Sequence, residues 1–379
     1  MSNKMRVGIV LGGRSAEHAI SLLSAKSVIE AINKDKYEVV LLGISKAGEW
    51  FFYDDLAHCL LDAHSAKRVR MQESHHPVAL VAQPGASPLV RLEPHAINHP
   101  VDVIFPLVHG PYGEDGTIQG LLKLANVPFV GAGVLGSAVA MDKDVMKRLL
   151  KDAGIPIAPF LILNAHNAMD TTFEEIVETV GLPFFVKPAN LGSSIGVSKV
   201  NGIDDFDEKI AFAFRFDRKI IVETFIEGRE LECSVLGNDH PIASVVGELI
   251  PQHEFYSYEA KYLDDEGAIF EIPARLSAEK QREIQALALK TYKVLCCQGM
   301  ARVDLFLSSD GQLFLNEINT IPGFTKISMY PKLWEASGLA YPDLIDRLIS
   351  LAIERFEQEQ SLNTALMLMG EQPVPSDLE

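Results

Sequence analysis

The run GMARVDLFLSSDGQ carries Arg302 and Asp304 on one apolar segment, and LFLNEINTIPGFT follows it with Glu317 and Asn319 at the same spacing. Asp310-Gly311 between the runs is a two-residue hairpin signal. Pairing Ser309 with Gln312 then sets Asp304 opposite Glu317 and Arg302 opposite Asn319. Period-2 alternation turns all four toward one face of the sheet. Opposed carboxylates repel each other unless a cation lies between them. Oxygen donors of this kind suit Mg²⁺ or Mn²⁺, which share their remaining positions with water and phosphate. The plainer alternative is that Arg302 only neutralises a structural acid pair.

A second candidate lies upstream in VKPANLGSSIGVSKV, where a glycine-rich loop separates two strands. Backbone N–H groups in such a loop can fold over phosphates, although an ordinary hairpin would look similar. Lys187 ends the apolar strand before the loop, where a charge needs an anionic partner. Lys143 begins a helix and could add a second positive charge, or simply be solvated. No GxxxxGK[ST] is present and the loop itself is not a GxGxxG, so it is no Walker loop and the dinucleotide reading is weak. Acids for a metal, an arginine, two lysines and a glycine lid together suggest phosphoryl chemistry on ATP.

The elements that must position these groups read as α/β. MRVGIVL, YEVVLLGI and VDVIFPLVHG are buried strands of a parallel sheet, and SAEHAISLLSAKSVIEAI is a helix between the first two. From about Trp50 to Pro100 the pattern weakens, and that segment reads as an extended insertion forming surface loop, with His75, His76, His95 and His99 in no metal motif. A second unit opens with the helix MDKDVMKRLLKDAG. A third holds KIIVETFIEGRELECSVLG as two strands, the helix SAEKQREIQALALKTYKVLCC and the hairpin. In YPDLIDRLISLAIERF, residues Ile345, Leu348, Ile349, Ala352 and Phe356 form a core stripe. The expected divisions are 1–140, 141–222 and 223–360, with 361–379 as a flexible tail.

The chain has 379 residues, so more than one core is expected. Its net charge of −17, from 34 Lys+Arg and 51 Asp+Glu, disfavours nucleic acid and anionic membrane as partners. Cys59, Cys233, Cys296 and Cys297 form no CxxC pair, and the adjacent Cys296 and Cys297, in a helical run, read as small core residues in a reducing compartment. The N-terminus reads as a strand and not a signal peptide, and no run reaches transmembrane length, so a cytoplasmic protein is expected.

Across nearly its whole length the chain resembles the D-alanine–D-alanine ligases of the ATP-grasp superfamily. The landmarks, in order, are LGGRSAEHAISLLSA, HGPYGEDGTIQG, VKPANLGSSIGVSKV, EAKYL, ARVDLFL and NEINTIPGFTKISMYPKLW. The resemblance implies three α/β domains, the first Rossmann-like, with ATP held between the central and C-terminal ones. It also implies a homodimer and a product used for peptidoglycan precursors. Glu223 and the backbone of Phe225 and Ile226 would contact adenine, Glu230 the ribose, and Lys143 and Lys187 the phosphates. Asp304, Glu317 and Asn319 would hold two Mg²⁺. On sequence alone, Glu230 could equally be a solvated edge-strand acid.

The implied chemistry is attack of one D-alanine carboxylate on the γ-phosphate, then attack of a second D-alanine amine on the acyl phosphate. Arg302 and the Gly323 N–H would stabilise the oxyanion, and glycine there would let the backbone come close to the reacting carbon. Glu17, otherwise a first-turn helix acid, would hold the first substrate's ammonium in a hydrogen-bonded set with Ser193 and Tyr262. Ser328 would bind the second carboxylate. His109 would line the first subsite or merely cap a strand end. HEFYSYEAKYLDDEG would be a mobile lid, and its Lys261-Tyr262 pair points to D-alanine, not D-lactate, as second substrate. Thr224 departs from the family, where many members carry lysine. A D-serine or D-lactate ligase, a nucleotide-binding oxidoreductase and a silent binding protein of the same fold are the competing readings.

Overall fold

The computed structural model describes residues 4–62, 67–74, 76–81, 89–92, 100–251 and 268–362. The first sheet is built from β1 (Met5–Gly12), β2 (Tyr37–Ile44) and β3 (Trp50–Tyr53). Two short hairpins follow, β4 (Leu60–Leu61) with β5 (Arg70–Met71) and β6 (Val78–Leu80) with β7 (Leu89–Arg91), before β8 (Val103–Pro106) rejoins the sheet. The order is β3-β2-β1-β8, with β1 parallel to both β2 and β8 and β3 antiparallel on the edge. The 50–100 segment is therefore not wholly loop: it opens with a strand of the main sheet, and Arg91 bonds the His76 ring at 2.7 Å. His75, His95 and His99 lie outside the described residues.

The second sheet contains β9 (Phe160–Asn164), β10 (Phe184–Pro188), β11 (Ser198–Val200) and β12 (Lys219–Thr224) in the antiparallel order β11-β10-β12-β9. The third contains β13 (Gly228–Leu236), β14 (Ile242–Pro251), β15 (Ala268–Glu271), β16 (Met300–Ser308) and β17 (Leu313–Asn319), antiparallel in the order β15-β14-β13-β16-β17. The two strands of KIIVETFIEGRELECSVLG thus belong to different sheets. Residues 225–227 form the crossing, which is why Glu223, Phe225 and Ile226 sit at a junction.

The cores follow the alternation of apolar residues. One face of the first sheet packs Val7, Ile9 and Leu11 against helix His18–Ala31, and Val10 and Ile104 lie on its other face with Ile118 and Leu122. Helix Ala278–Val294, capped by the Ser277 hydroxyl, covers the third sheet with Ile284, Ala288 and Tyr292. Its end corrects the reading of the paired cysteines. The helix stops at Val294, Cys296 adopts φ +54° and is exposed, and only Cys297 is buried. Cys59 and Cys233 are buried.

The terminal helix Tyr341–Gln360 does not stay with the sheet it follows. Its Ile345, Leu348, Ile349 and Ala352 enter the first core beside β1 and β8. From the same helix, the buried Arg355 donates to the carbonyls of Gly131 (2.5 Å) and Phe129 (2.8 Å), with its guanidinium 4.5 Å from the Phe129 ring. Arg355→Met should therefore lower unfolding free energy by about 2–4 kcal/mol, because two buried carbonyls lose charge-assisted bonds. Urea unfolding with an unchanged m-value would read this. A wild-type midpoint would show that the strap carries no stability.

Candidate active site

A cleft of about 1230 Å³ opens where the three sheets meet, and every expected site residue in the described part of the chain lines it. Lys261 and Tyr262, and the expected lid that carries them, lie outside the described residues.

The hairpin supplies the first group. Arg302 pairs with Asn319 and Asp304 with Glu317, the register expected from the sequence. The route to that register differs, because the loop is longer than two residues. The Ser308 N–H bonds the Gln312 carbonyl at 3.0 Å, which shifts the pairing by one. A bulge on β17, where Asn316 is the extra residue facing the Asp304–Leu305 step of β16, then restores it. The bulge also brings Asn316 and Glu317 together into the cleft wall.

Arg302 grips Asp304 with both arms of its guanidinium, at 2.8 and 2.7 Å, and its Nε lies 2.9 Å from Glu232 Oε2. Burial opposes the arginine's charge, and the carboxylates of Asp304 and Glu232 more than offset it, raising its pKa. Glu232, opposite Asp304 on β13, was not singled out in the sequence. Its alternation with Glu230 in GRELECS was the available signal. Glu317 lies 3.3 Å from the Lys143 ammonium, which also donates to the Leu191 carbonyl at 2.7 Å in the glycine-rich loop. Among the described residues no trio of His, Cys, Asp or Glu forms a metal site. The candidate set thus depends on the Asn319 amide as its third oxygen donor. Two acids opposed in register with that amide fit a hard divalent cation.

The second group joins two sheet strands to a helix. Asp142 caps helix Lys143–Asp152, accepting from the N–H groups of Asp144 and Val145. Lys143 and Lys147, four residues apart, therefore share one buried face. Glu223 is almost fully buried and accepts from the Lys187 ammonium, with Lys147 3.0 Å from its other oxygen. Burial alone would raise the Glu223 carboxyl, but Lys147 and Lys187 hold it down to about 2. Its carboxylate is thus an anchor between two lysines. Lys147 was missed in the sequence, although its spacing from Lys143 was visible.

The third group faces these from the first sheet. Glu17 caps helix His18–Ala31 by position, but its carboxylate makes no cap bond and accepts from the Ser193 hydroxyl instead. Ser193 and Ser194 hold φ +53° and +57°, a strained region for side-chain-bearing residues. Nearby, Glu114 accepts from the Gly110 N–H at 2.5 Å. Burial, with Glu17 and Glu317 adding, pushes its carboxyl up to about 8. Glu114 also escaped the sequence reading, hidden in HGPYGEDG. His109 does more than cap a strand: its Nδ1 lies 2.9 Å from the Ile321 carbonyl, and burial lowers it to about 4.

The remaining residues complete the walls. The Phe185 and Phe225 rings lie 5.9 Å apart as an apolar end of the cleft, with Lys199 4.5 Å over Phe225. Ser328 opens helix Met329–Ala336, and its hydroxyl accepts from the Thr325 N–H at 3.0 Å. A Cβ on Gly323 would meet that hydroxyl at 2.7 Å, a second reason for glycine there. One stability prediction follows from the buried lysine pair. Lys147→Met should cost about 2–3 kcal/mol, less than the usual loss on breaking a buried pair because Lys187 still neutralises Glu223. Chemical denaturation measures it, and no change in stability would mean that the Lys147–Glu223 contact is energetically silent.

Comparison with known proteins agrees with this arrangement. The family model described as D-ala D-ala ligase N-terminus matches residues 6–132, and that of the D-ala D-ala ligase C-terminus matches residues 149–350. A D-alanine–D-alanine ligase of Shouchella clausii is 50% identical over 96% of this chain and 98% of its own length. D-alanine–D-alanine ligase A of Salmonella typhimurium is 51% identical over 96% of this chain and 100% of its own. Among solved structures, the D-alanine-D-alanine ligase from Coxiella burnetii superposes with TM-score 0.83 at 37% identity, covering 95% of this chain and 97% of that one. The VanG D-Ala:D-Ser ligase from Enterococcus faecalis gives 0.80 at 34%, covering 92% and 100%. With three sheets converging on one charged cleft and both family models matched, the chain belongs to the D-alanine–D-alanine ligase family and has its ATP-grasp fold.

Proposed function

We propose that the protein joins two D-alanines to D-alanyl-D-alanine at the expense of ATP, releasing ADP and phosphate and supplying peptidoglycan precursor. The observation that carries this reading is the meeting of the opposed pair Asp304 and Glu317 with Arg302, Lys143 and Lys187 in one cleft. ATP would lie between the second and third sheets, its base against Phe185 and Phe225 and edged by Glu223 to Ile226. Glu230 would lie at the ribose, and Lys143 and Lys187 at the phosphates. Asp304, Glu317 and Asn319 would hold divalent cation, two Mg²⁺ ions with Mn²⁺ as an alternative. Bound there, the cation would neutralise phosphate charge and fix its orientation.

Glu17 would receive the ammonium of the first D-alanine, with Ser193 fixing its carboxylate. In the first step a carboxylate oxygen bonds to the γ-phosphorus as the bond to ADP breaks. In the second, the amine of the other D-alanine bonds to the carbonyl carbon, loses a proton and displaces phosphate. Arg302 and the Gly323 N–H would hold the developing oxyanion in a preorganised field that water could not match. Ser328, at a helix start where the backbone favours anions, would receive the second carboxylate. His109 would help shape the first subsite. Lys261 and Tyr262 would close the site with the lid, and Tyr262 would join Glu17 and Ser193. We also expect a homodimer in the cytoplasm, and among the described residues no helix is long and apolar enough to cross a membrane.

The first test is ADP and phosphate release with ATP, Mg²⁺ and D-alanine, alongside D-serine, D-lactate and L-alanine, with products identified by mass. D-alanyl-D-alanine as the main product is expected. A mixed product with D-serine or D-lactate would move the assignment to a different second substrate, and no turnover would overturn it. Arg302→Ala should lower the chemical step by roughly two to three orders of magnitude. Near-wild-type turnover would remove Arg302 from the oxyanion role. Glu317→Gln should raise the Mg²⁺ concentration needed for half-maximal rate, and an unchanged metal dependence would count against the site.

A further inference from the structure

The turn that carries Gly323 is held by cleft-lining side chains, His109 and Asn319, and by two that lie behind the cleft, Ser24 and Tyr341. The carbonyl of Ile321 accepts from His109 Nδ1 at 2.9 Å, and the N–H of Phe324 donates to the Ser24 hydroxyl at 3.2 Å. Ser24 Oγ lies 3.1 Å from His109 Nε2. The turn's outer atoms are tied as well. Asn319 Oδ1 accepts from the Ile321 N–H at 3.0 Å, and Tyr341 donates to the Phe324 carbonyl at 2.7 Å. The Gly323 N–H itself makes no hydrogen bond among the described residues, and Gly323 lines the cleft.

The donor pattern of this chain has one solution. A carbonyl can only accept, so His109 Nδ1 carries the proton. Nε2 of the neutral ring then accepts, so the Ser24 O–H donates to it. The Ser24 oxygen keeps a lone pair for the Phe324 N–H. One relay therefore fixes the peptide before Pro322–Gly323 and the peptide after it, and leaves the middle one aimed by its neighbours.

We infer that Ser24 is a positioning residue for the amide-forming step, acting with His109 to hold the Gly323 N–H where the oxyanion develops. The inference rests on the oxyanion role proposed for Gly323. Ser24 is fully buried on helix His18–Ala31 and lies outside the cleft lining, so it touches no substrate. Its effect must pass through the turn. An oxyanion donor works only within a few tenths of an ångström of its ideal distance. Loosening one pinned peptide should slow attack on the acyl phosphate and spare its formation.

The test uses Ser24→Ala and Ser24→Cys in the full chain. Steady-state turnover is measured beside D-alanine-dependent scrambling of bridging ¹⁸O in ATP, which reads reversible phosphoryl transfer. Ser24→Ala should lower kcat about tenfold, less than outright loss of an oxyanion donor, and leave KM for ATP unchanged. Its ratio of isotope scrambling to dipeptide formed should rise by a similar factor, with Ser24→Cys between it and wild type. Wild-type kcat and ratio in Ser24→Ala would overturn the inference, as would parallel loss of scrambling and ligation. Imidazole ¹⁵N shifts of the wild-type protein give a check that no folding defect can obscure. They should show His109 protonated on Nδ1 and bare on Nε2, and the opposite tautomer would overturn the relay. A wild type that scrambles label but forms no dipeptide would instead fail the function reading itself.

Discussion

A carboxylate facing a carboxylate across a hairpin is the constraint around which this site is built. Asp304 and Glu317 stand in register, with Glu232 beside Asp304 on the next strand. Asp304 and Glu232 are buried and Glu317 half-buried, and three acids this close cannot all stay ionised without cations. The protein supplies them from different elements: Arg302 from the same strand, and Lys143 from a helix of the preceding unit. Removing any one leaves an uncompensated charge in a poorly hydrated place. The sheets are thus held in relative position by charge balance as well as by apolar packing.

The same logic recurs at Glu223, whose two oxygens are shared between Lys147 and Lys187. Across the cleft the tethers are hydrogen bonds. The Ser193 hydroxyl reaches Glu17, and the His109 ring reaches Ile321. Each tether joins residues far apart in the sequence. The terminal helix adds a covalent and apolar tether by returning Ile345 and Leu348 to the first core. The terminal helix therefore ties the end of the described chain to its first sheet, behind a cleft lined by residues from Glu17 to Met329.

Much of this was legible because the signals were local. Continuous apolar runs gave the strands, the DG dipeptide gave the hairpin, and the amphipathic run MDKDVMKRLLKDAG gave the helix that presents Lys143. The register at Asp304 was reached through two offsets that cancel, since turn length and bulge both follow from packing that no short window contains. Lys147 and Glu232 obeyed visible periodicities but looked like ordinary solvated charges. Only burial turns them into partners. Ser24 carried no signal, because a helical serine is commonplace until a turn 300 residues away places Phe324 against it. The split of β12 and β13 between two sheets was hidden for a similar reason: the crossing at 225–227 reads like any short turn.

Electrostatics also sets what the cleft demands of its ligand. The chain carries a net charge of −17, yet Lys143, Lys187 and Arg302 line one cleft, with Lys147 buried behind it against Glu223. Each is paired with a carboxylate before any ligand arrives. An incoming triphosphate must therefore compete with Glu317 and Glu223 for the ammonium groups, so bare charge attraction gains little. In exchange the lysines are already oriented and desolvated, and little reorganisation remains for the step in which phosphate charge is redistributed. Such a site favours a ligand whose charge lies in the right geometry over one that is merely anionic. In a strongly acidic protein, that is the form of discrimination a phosphoryl-transfer cleft requires.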